Sequence, residues 1–164
     1  MQIPSIFELV DHAEPGHFPE KAHPLDSGFD MFAKLDSPLM LETGQRALID
    51  CGFRLNMPSP HELNAGVTAD KPEVVLEAQV RSRSGLASKR GLFVLNSPGT
   101  IDNTYTGNVK VVLCNLGEAQ VITSGMKIAQ LVFQFVPFID DLSCEYKDLD
   151  NHSRLGNGFG STGQ

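Results

Sequence analysis

Apolar residues in this chain fall into short runs, most with the two-residue alternation of a half-buried strand rather than a helical period. The runs are "IPSIFELV", "GFDMFA", "RALIDCGFRL", "EVVLEAQV", "GLFVLN", "GNVKVVLCNL", "QVITSG" and "KIAQLVFQFVPF". Clusters of Gly, Pro, Asn, Asp and Ser separate them at fairly regular intervals, which predicts an all-β sandwich, barrel or jelly roll. One segment reads as a helix, "SGLASKRG". There Ser84 is placed to cap the N-terminus, Gly91 to end the helix, and Lys89 and Arg90 to complement its C-terminal dipole. Two stretches break the pattern. Asn56 to Pro72 is polar and carries three prolines, the signature of a long surface loop. The last stretch, "DNHSRLGNGFGSTGQ", holds four glycines; a tail explains the glycines but not Arg154 and Phe159.

Composition narrows the class. A chain of 164 residues with 41% apolar and 20% charged positions is most simply one domain with a real core. No run reaches the roughly 18 apolar residues of a membrane span. The N-terminus is acidic and lacks the basic region of a secretory signal. Cys51, Cys114 and Cys144 are odd in number and widely spaced, which suits a reducing, cytoplasmic setting and argues against disulfides or a zinc site. A net charge of −7 makes nucleic acid an improbable partner. Within that acidic background "RSRSGLASKR" gathers Arg81, Arg83, Lys89 and Arg90, either a solvated helix face or a place for a small anion.

Candidate chemistry then sorts itself. There is no GxSxG nucleophile elbow and no HExxH metal pair. His12, His17, His23, His61 and His152 stand singly, and each reads as a surface residue. Arg83, Ser84 and Gly85 sit where a loop enters the short helix, a place that favours phosphate. "GFGST" near the end offers backbone N–H groups and two hydroxyls, with Arg154 able to close over a terminal phosphate. In "NSPGTIDNTYTGNVKVVL", from Asn96 to Leu113, two β-prone runs flank a polar turn containing Asp102 and Tyr105. Beside phosphates Asp102 would serve as a general base, Tyr105 as a flat platform, and Asn96 as a donor and acceptor for a pyrimidine edge. Asp30 could help hold magnesium through its water shell. Taken singly each has a plain alternative: a turn former, a packing residue, a strand-end cap.

Taken together, five pieces in order resemble the five motifs of the trimeric dUTP diphosphatases, the dUTPases. They are "AHPLDSGFDMFA", "RSRSGLASKRG", "NSPGTIDNTYTGNVKVVLCNLG", "GMKIAQLVF" and "RLGNGFGSTG". The resemblance implies a distorted jelly-roll or β-clip subunit with one short helix, assembled as a homotrimer with shared active sites. It divides the chain into a β-domain, 1–150, and a C-terminal arm, 151–164. It implies hydrolysis of dUTP to dUMP and pyrophosphate with Mg²⁺, which lowers dUTP and supplies dUMP for thymidylate synthesis. By motif position Asp102 activates water and Gln130 lies near the α-phosphate. Arg83, Ser84 and Gly85 hold phosphates. Asn96 and the Gly99–Gly107 hairpin, with Thr100 and Ile101, read uracil. Tyr105 packs on the deoxyribose and excludes a 2′-hydroxyl, and Lys110 contacts substrate. Phe159 covers the base, Arg154, Gly160, Ser161 and Thr162 hold the γ-phosphate, and Asp30 belongs to the magnesium-linked network.

Four features depart from the family pattern. Ser82 stands where many members have proline, a minor loosening before the helix. Leu155 and Asn157 replace glycines of the last motif. The segment 58–75 reads as a surface insertion open to a protein partner. Two other readings stay open: a dCTP deaminase-like enzyme, which would need a glutamate in the third motif, and a nucleotide-dependent regulatory binding protein.

Overall fold

The computed structural model describes residues 7–9, 17–63 and 74–139. Ten strands and two helices follow in the order β1 (Phe7–Leu9), β2 (Gly28–Phe32), β3 (Leu39–Leu41), β4 (Arg46–Leu55), α1 (Pro60–Leu63), β5 (Val74–Arg81), α2 (Ser84–Arg90), β6 (Leu92–Val94), β7 (Gly99–Ile101), β8 (Asn108–Asn115), β9 (Gln120–Ile122) and β10 (Lys127–Pro137). They form two four-stranded antiparallel sheets, β1-β4-β8-β6 and β2-β10-β5-β7, plus a two-stranded β3-β9. The all-β, jelly-roll-type architecture agrees with the sequence pattern.

Alternation decides which faces meet. Leu76, Ala78 and Val80 of β5 and Val109, Val111 and Leu113 of β8 point inward and are buried. Phe53, Met31, Ile49, Ile128 and Leu131 fill the space between them. Burying each large apolar side chain stabilises the fold by about 1.5–3 kcal/mol. Asn115 is the polar exception inside: its Nδ2 donates to the Leu41 carbonyl (2.8 Å) and the Glu118 carbonyl (2.8 Å), and its Oδ1 accepts from Gly117 N–H (2.9 Å).

Several expectations change. Strand β3 is three residues long, too short to show a period, and is not expected from the sequence; β7, equally short, lies in the first of the two β-prone runs read around the Asp102 turn. There is a second helix, α1, inside the stretch read as a surface loop. Ser59 caps it: Ser59 N–H and hydroxyl donate to Glu62 Oε2 (2.7 and 2.8 Å), and Glu62 N–H donates back to Ser59 Oγ (3.3 Å), a capping box with Pro60 at the first helical position. Met57, Pro58 and Leu63 are buried, so the start of the 58–75 segment is packed against the core; residues 64–73 lie outside the described ones. Helix α2 begins at Ser84, and the capping position is Arg83, without a side-chain cap. Gly91 does end it, at φ 69°.

The Asn96–Leu113 stretch is not a hairpin. Strand β7 pairs with β5 in one sheet, and β8 pairs with β4 and β6 in the other. The Asp102–Gly107 turn therefore carries the chain from one sheet to the other. His17, expected at the surface, is buried, with Nε2 2.9 Å from Ser124 Oγ.

Candidate active site

The inter-sheet turn forms one wall of a cavity of about 190 Å³ lined by Thr100, Ile101, Asp102, Tyr105, Asn108, Val109 and Lys110. Tyr105 N–H donates to the Asp102 carbonyl (3.0 Å), so the two residues are the ends of one β-turn. That turn brings the carboxylate and the phenol to the same opening, both exposed. The Tyr105 hydroxyl donates to the Asn108 carbonyl (3.0 Å). Its ring lies on Gly107, where any Cβ would stand 2.5 Å from the hydroxyl oxygen and 2.7 Å from the ring. Asn96 lies outside this lining; its Nδ2 would stand 3.0 Å from a Cβ at Gly99, so it backs the strand that supplies Thr100 and Ile101.

A second cavity, about 350 Å³, is lined by Arg83, Ser84, Gly85, Leu86, Lys89 and Gln130. Arg83 is held before any ligand arrives: Nε lies 3.0 Å from Asp30 Oδ1, and a terminal guanidinium nitrogen donates to the Lys127 carbonyl (3.1 Å). Lys127 Nζ lies 2.9 Å from Asp30 Oδ2 and 3.0 Å from Glu20 Oε1. Hydrogen bonds to Asp30, and then Glu20, push its ammonium above the ordinary lysine range. Gln130 is in the central strand β10, opposite Asp30 on one side and Arg81 on the other. Its Nε2 donates to the Ser82 carbonyl (2.9 Å), and its Oε1 would stand 2.5 Å from a Cβ at Gly28. A third cavity, about 370 Å³, shares Gln130 and includes Asp26, Ser27, Asp30 and Arg81.

The sequence-derived residues thus fall into two groups. Thr100, Ile101, Asp102, Tyr105 and Lys110 meet in the first cavity; Arg83, Ser84, Gly85 and Gln130 meet in the second, and no residue lines both. Arg154, Phe159, Gly160, Ser161 and Thr162 lie outside the described residues. Asp30 engages Arg83 and Lys127 with both oxygens, so its visible task is to orient the arginine. No group of three His, Cys, Asp or Glu side chains that could cage a metal occurs among the described residues.

Ser82 does the opposite of loosening. Its N–H, which proline would lack, donates to Ser97 Oγ (3.3 Å), and its Oγ accepts from Val94 N–H (2.9 Å). With Gln130 on its carbonyl, Ser82 ties the arginine loop to β10, β6 and the Asn96 turn. The sequence alone does not reveal this role or that of Lys127, although both residues lie within the quoted motifs.

Comparison with known proteins gives these features a setting. The sequence model of the dUTPase family matches residues 61–163. The deoxyuridine 5′-triphosphate nucleotidohydrolase of Chlamydia trachomatis serovar L2 is 41% identical over 147 residues, 89% of this chain and 90% of the relative. Among solved structures, a mutant dUTPase of phage 80alpha superposes with a TM-score of 0.71 at 22% identity, covering 98% of this chain and all of that one. The dUTPase of phage phi11 of S. aureus, described with a coordinated structural Mg(II) ion, gives a TM-score of 0.63 at 22% identity, covering 88% of this chain and 99% of the other.

Proposed function

The chain belongs to the dUTPase family, and on that premise we propose how its two cavities divide the work. The reaction is the hydrolysis of dUTP to dUMP and pyrophosphate. The first cavity takes the nucleoside end. Asp102 accepts a proton from water as the water oxygen bonds to the α-phosphorus; the bond from that phosphorus to the bridging oxygen breaks, and pyrophosphate leaves. Tyr105 lies against the deoxyribose and leaves no room for a 2′-hydroxyl, while Lys110 faces the substrate from β8. Backbone groups of Gly99, Thr100 and Ile101, backed by Asn96, read the uracil edge. A site built for that edge leaves groups unpaired against cytosine, a penalty that can reach ~10⁴-fold.

The second cavity takes the phosphates. Arg83, oriented by Asp30, offers the forked donors that phosphate geometry suits, and Ser84, Gly85 and the first N–H groups of α2 add to it. Gln130, fixed by Ser82 and seated over Gly28, points to the α-phosphate. Arg154, Phe159, Gly160, Ser161 and Thr162 complete the site from the C-terminal arm. With no protein cage among the described residues, Mg²⁺ fits as an ion held mainly by phosphate oxygens and water. When bound it offsets the phosphate charge, with Asp30 acting on it only indirectly.

We infer that the complete site is shared between subunits of a homotrimer; that Asp102 and Arg83 line separate cavities in one chain supports this reading. Apolar side chains exposed on the sheets support such an assembly: Leu48 is 64% exposed and Val121 50%. The setting is cytoplasmic. The observation that carries the assignment is the turn that presents Asp102 and Tyr105 to one opening.

The test is turnover of dUTP, dCTP, dTTP and UTP with Mg²⁺, products resolved by chromatography. Only dUTP is consumed, and Asp102→Asn lowers kcat by about a thousandfold, the scale of a lost general base. Deamination of dCTP, or full activity of Asp102→Asn, overturns the assignment.

A further inference from the structure

We propose that Asp50, outside both cavities, is a positioning residue that sets the tilt of Tyr105 and thereby the discrimination between dUTP and UTP. The proposal rests on the reading of Tyr105 as the deoxyribose platform.

Strand β4 is irregular between Asp50 and Arg54. Asp50 lies opposite Lys110 on β8, yet Arg54 lies opposite Asn108, so residues 51–53 bulge against a single partner residue. A bulge re-aims the side chains around it. Gly52, at φ +74°, makes it possible. Asp50 closes the bulge with Oδ1, which accepts the Gly52 N–H at 2.7 Å. Its Oδ2 accepts from Asn108 Nδ2 at 2.9 Å. The Asn108 carbonyl in turn accepts the Tyr105 hydroxyl. One carboxylate thus links a bulge in β4, the first residue of β8 and the phenol on the cavity wall.

This link matters because it anchors the hydroxyl end of the ring. Tyr105 is 46% exposed, and Gly107 beneath it has no side chain to pack against the ring edge. The hydroxyl bond to Asn108 therefore sets how closely the ring approaches a sugar. Both oxygens of the carboxylate are engaged, one by the Gly52 N–H and the other by Asn108 Nδ2. Lys34 on the neighbouring chain segment donates its backbone N–H to the Asp50 carbonyl (2.8 Å) and covers Gly52 with its side chain, holding Asp50 in place from behind. How closely the ring approaches the sugar decides whether a 2′-hydroxyl fits.

The experiment compares kcat/KM for dUTP and for UTP, measured on single preparations of the wild-type enzyme, Asp50→Ala, Asn108→Ala, the double variant and Tyr105→Ala. The ratio of the two constants cancels the amount of folded enzyme, so a purely structural role does not move it. Asp50→Ala lowers the dUTP preference by roughly tenfold, and the double variant lowers it no further than either single change, the non-additivity of one linked unit. An unchanged ratio in Asp50→Ala, with a lowered ratio in Tyr105→Ala, overturns the proposal and leaves the platform reading standing. An unchanged ratio in Tyr105→Ala overturns the platform reading itself. If Asp50→Ala does not fold, Asp50→Asn, which keeps one acceptor oxygen, shows the same fall in preference; no fall overturns the proposal.

Discussion

Cys51 is fully buried in β4 beside the Asp50 carboxylate. Burial first, and the neighbouring negative charge second, push its thiol far above the ordinary cysteine range. The thiolate is the reactive form, so Cys51 stays unmodified in the native enzyme. Alkylation with iodoacetamide at pH 8 followed by peptide mapping finds the Cys51 peptide unlabelled until denaturant is added. Labelling in the native state would mean that β4 opens. The same residue scale shows why Asp50 and Cys51 adjoin without conflict: the carboxylate turns toward Asn108 and the thiol toward the core.

Helix α1 owes its existence to four residues, Ser59 to Glu62, and to one carboxylate. Hydrogen bonds from Ser59 N–H and then its hydroxyl hold Glu62 below its ordinary value of 4.5. A lowered carboxyl contributes stability above that ordinary value and loses it as pH falls through the folded one. Glu62→Gln therefore has a slightly lower Tm than wild type at pH 7, and the gap closes below about pH 4; a gap independent of pH would refute the charge-assisted cap. The Ser-x-x-Glu signature of this helix was present in the sequence, masked by two flanking prolines that read as loop. Strand β4 was legible to the residue, because ten positions give alternation room to show. Strand β7 was legible as a β-prone run but not in its pairing, since nothing local says that β7 and β8 join different sheets. The candidate-site residues that chemistry marks in the sequence, such as Asp102, Tyr105 and Arg83, are the ones that line the two cavities. Asp50 was not, because its partner Asn108 is 58 positions away and only the bulge brings them together.

For the whole molecule the division into two cavities sets a composition rule. Subunits carrying Asp102→Asn fail in the first cavity, and subunits carrying Arg83→Ala fail in the second. If each site draws the two cavities from different chains, mixing and reassembling equal amounts restores sites with both halves intact. Random assembly gives about a quarter of wild-type activity per site, the product of two independent halves in a closed symmetric oligomer. Sites built within single chains would leave the mixture as inactive as its components. Against a net charge of −7, the second cavity is lined by two cations, Arg83 and Lys89, and no carboxylate.

Ser82 carries a consequence for the history of this chain. Where the common family pattern uses the stiffness of proline, here stiffness comes from an N–H shared with Ser97 and a hydroxyl shared with Val94. The residue at 82 has thereby become contingent on the one at 97. Proline at 82 would remove the N–H shared with Ser97 and the hydroxyl that accepts from the buried Val94 amide. The two positions are energetically coupled: Ser82→Pro and Ser97→Ala each remove the same bond, so together they cost less than the sum of the single changes.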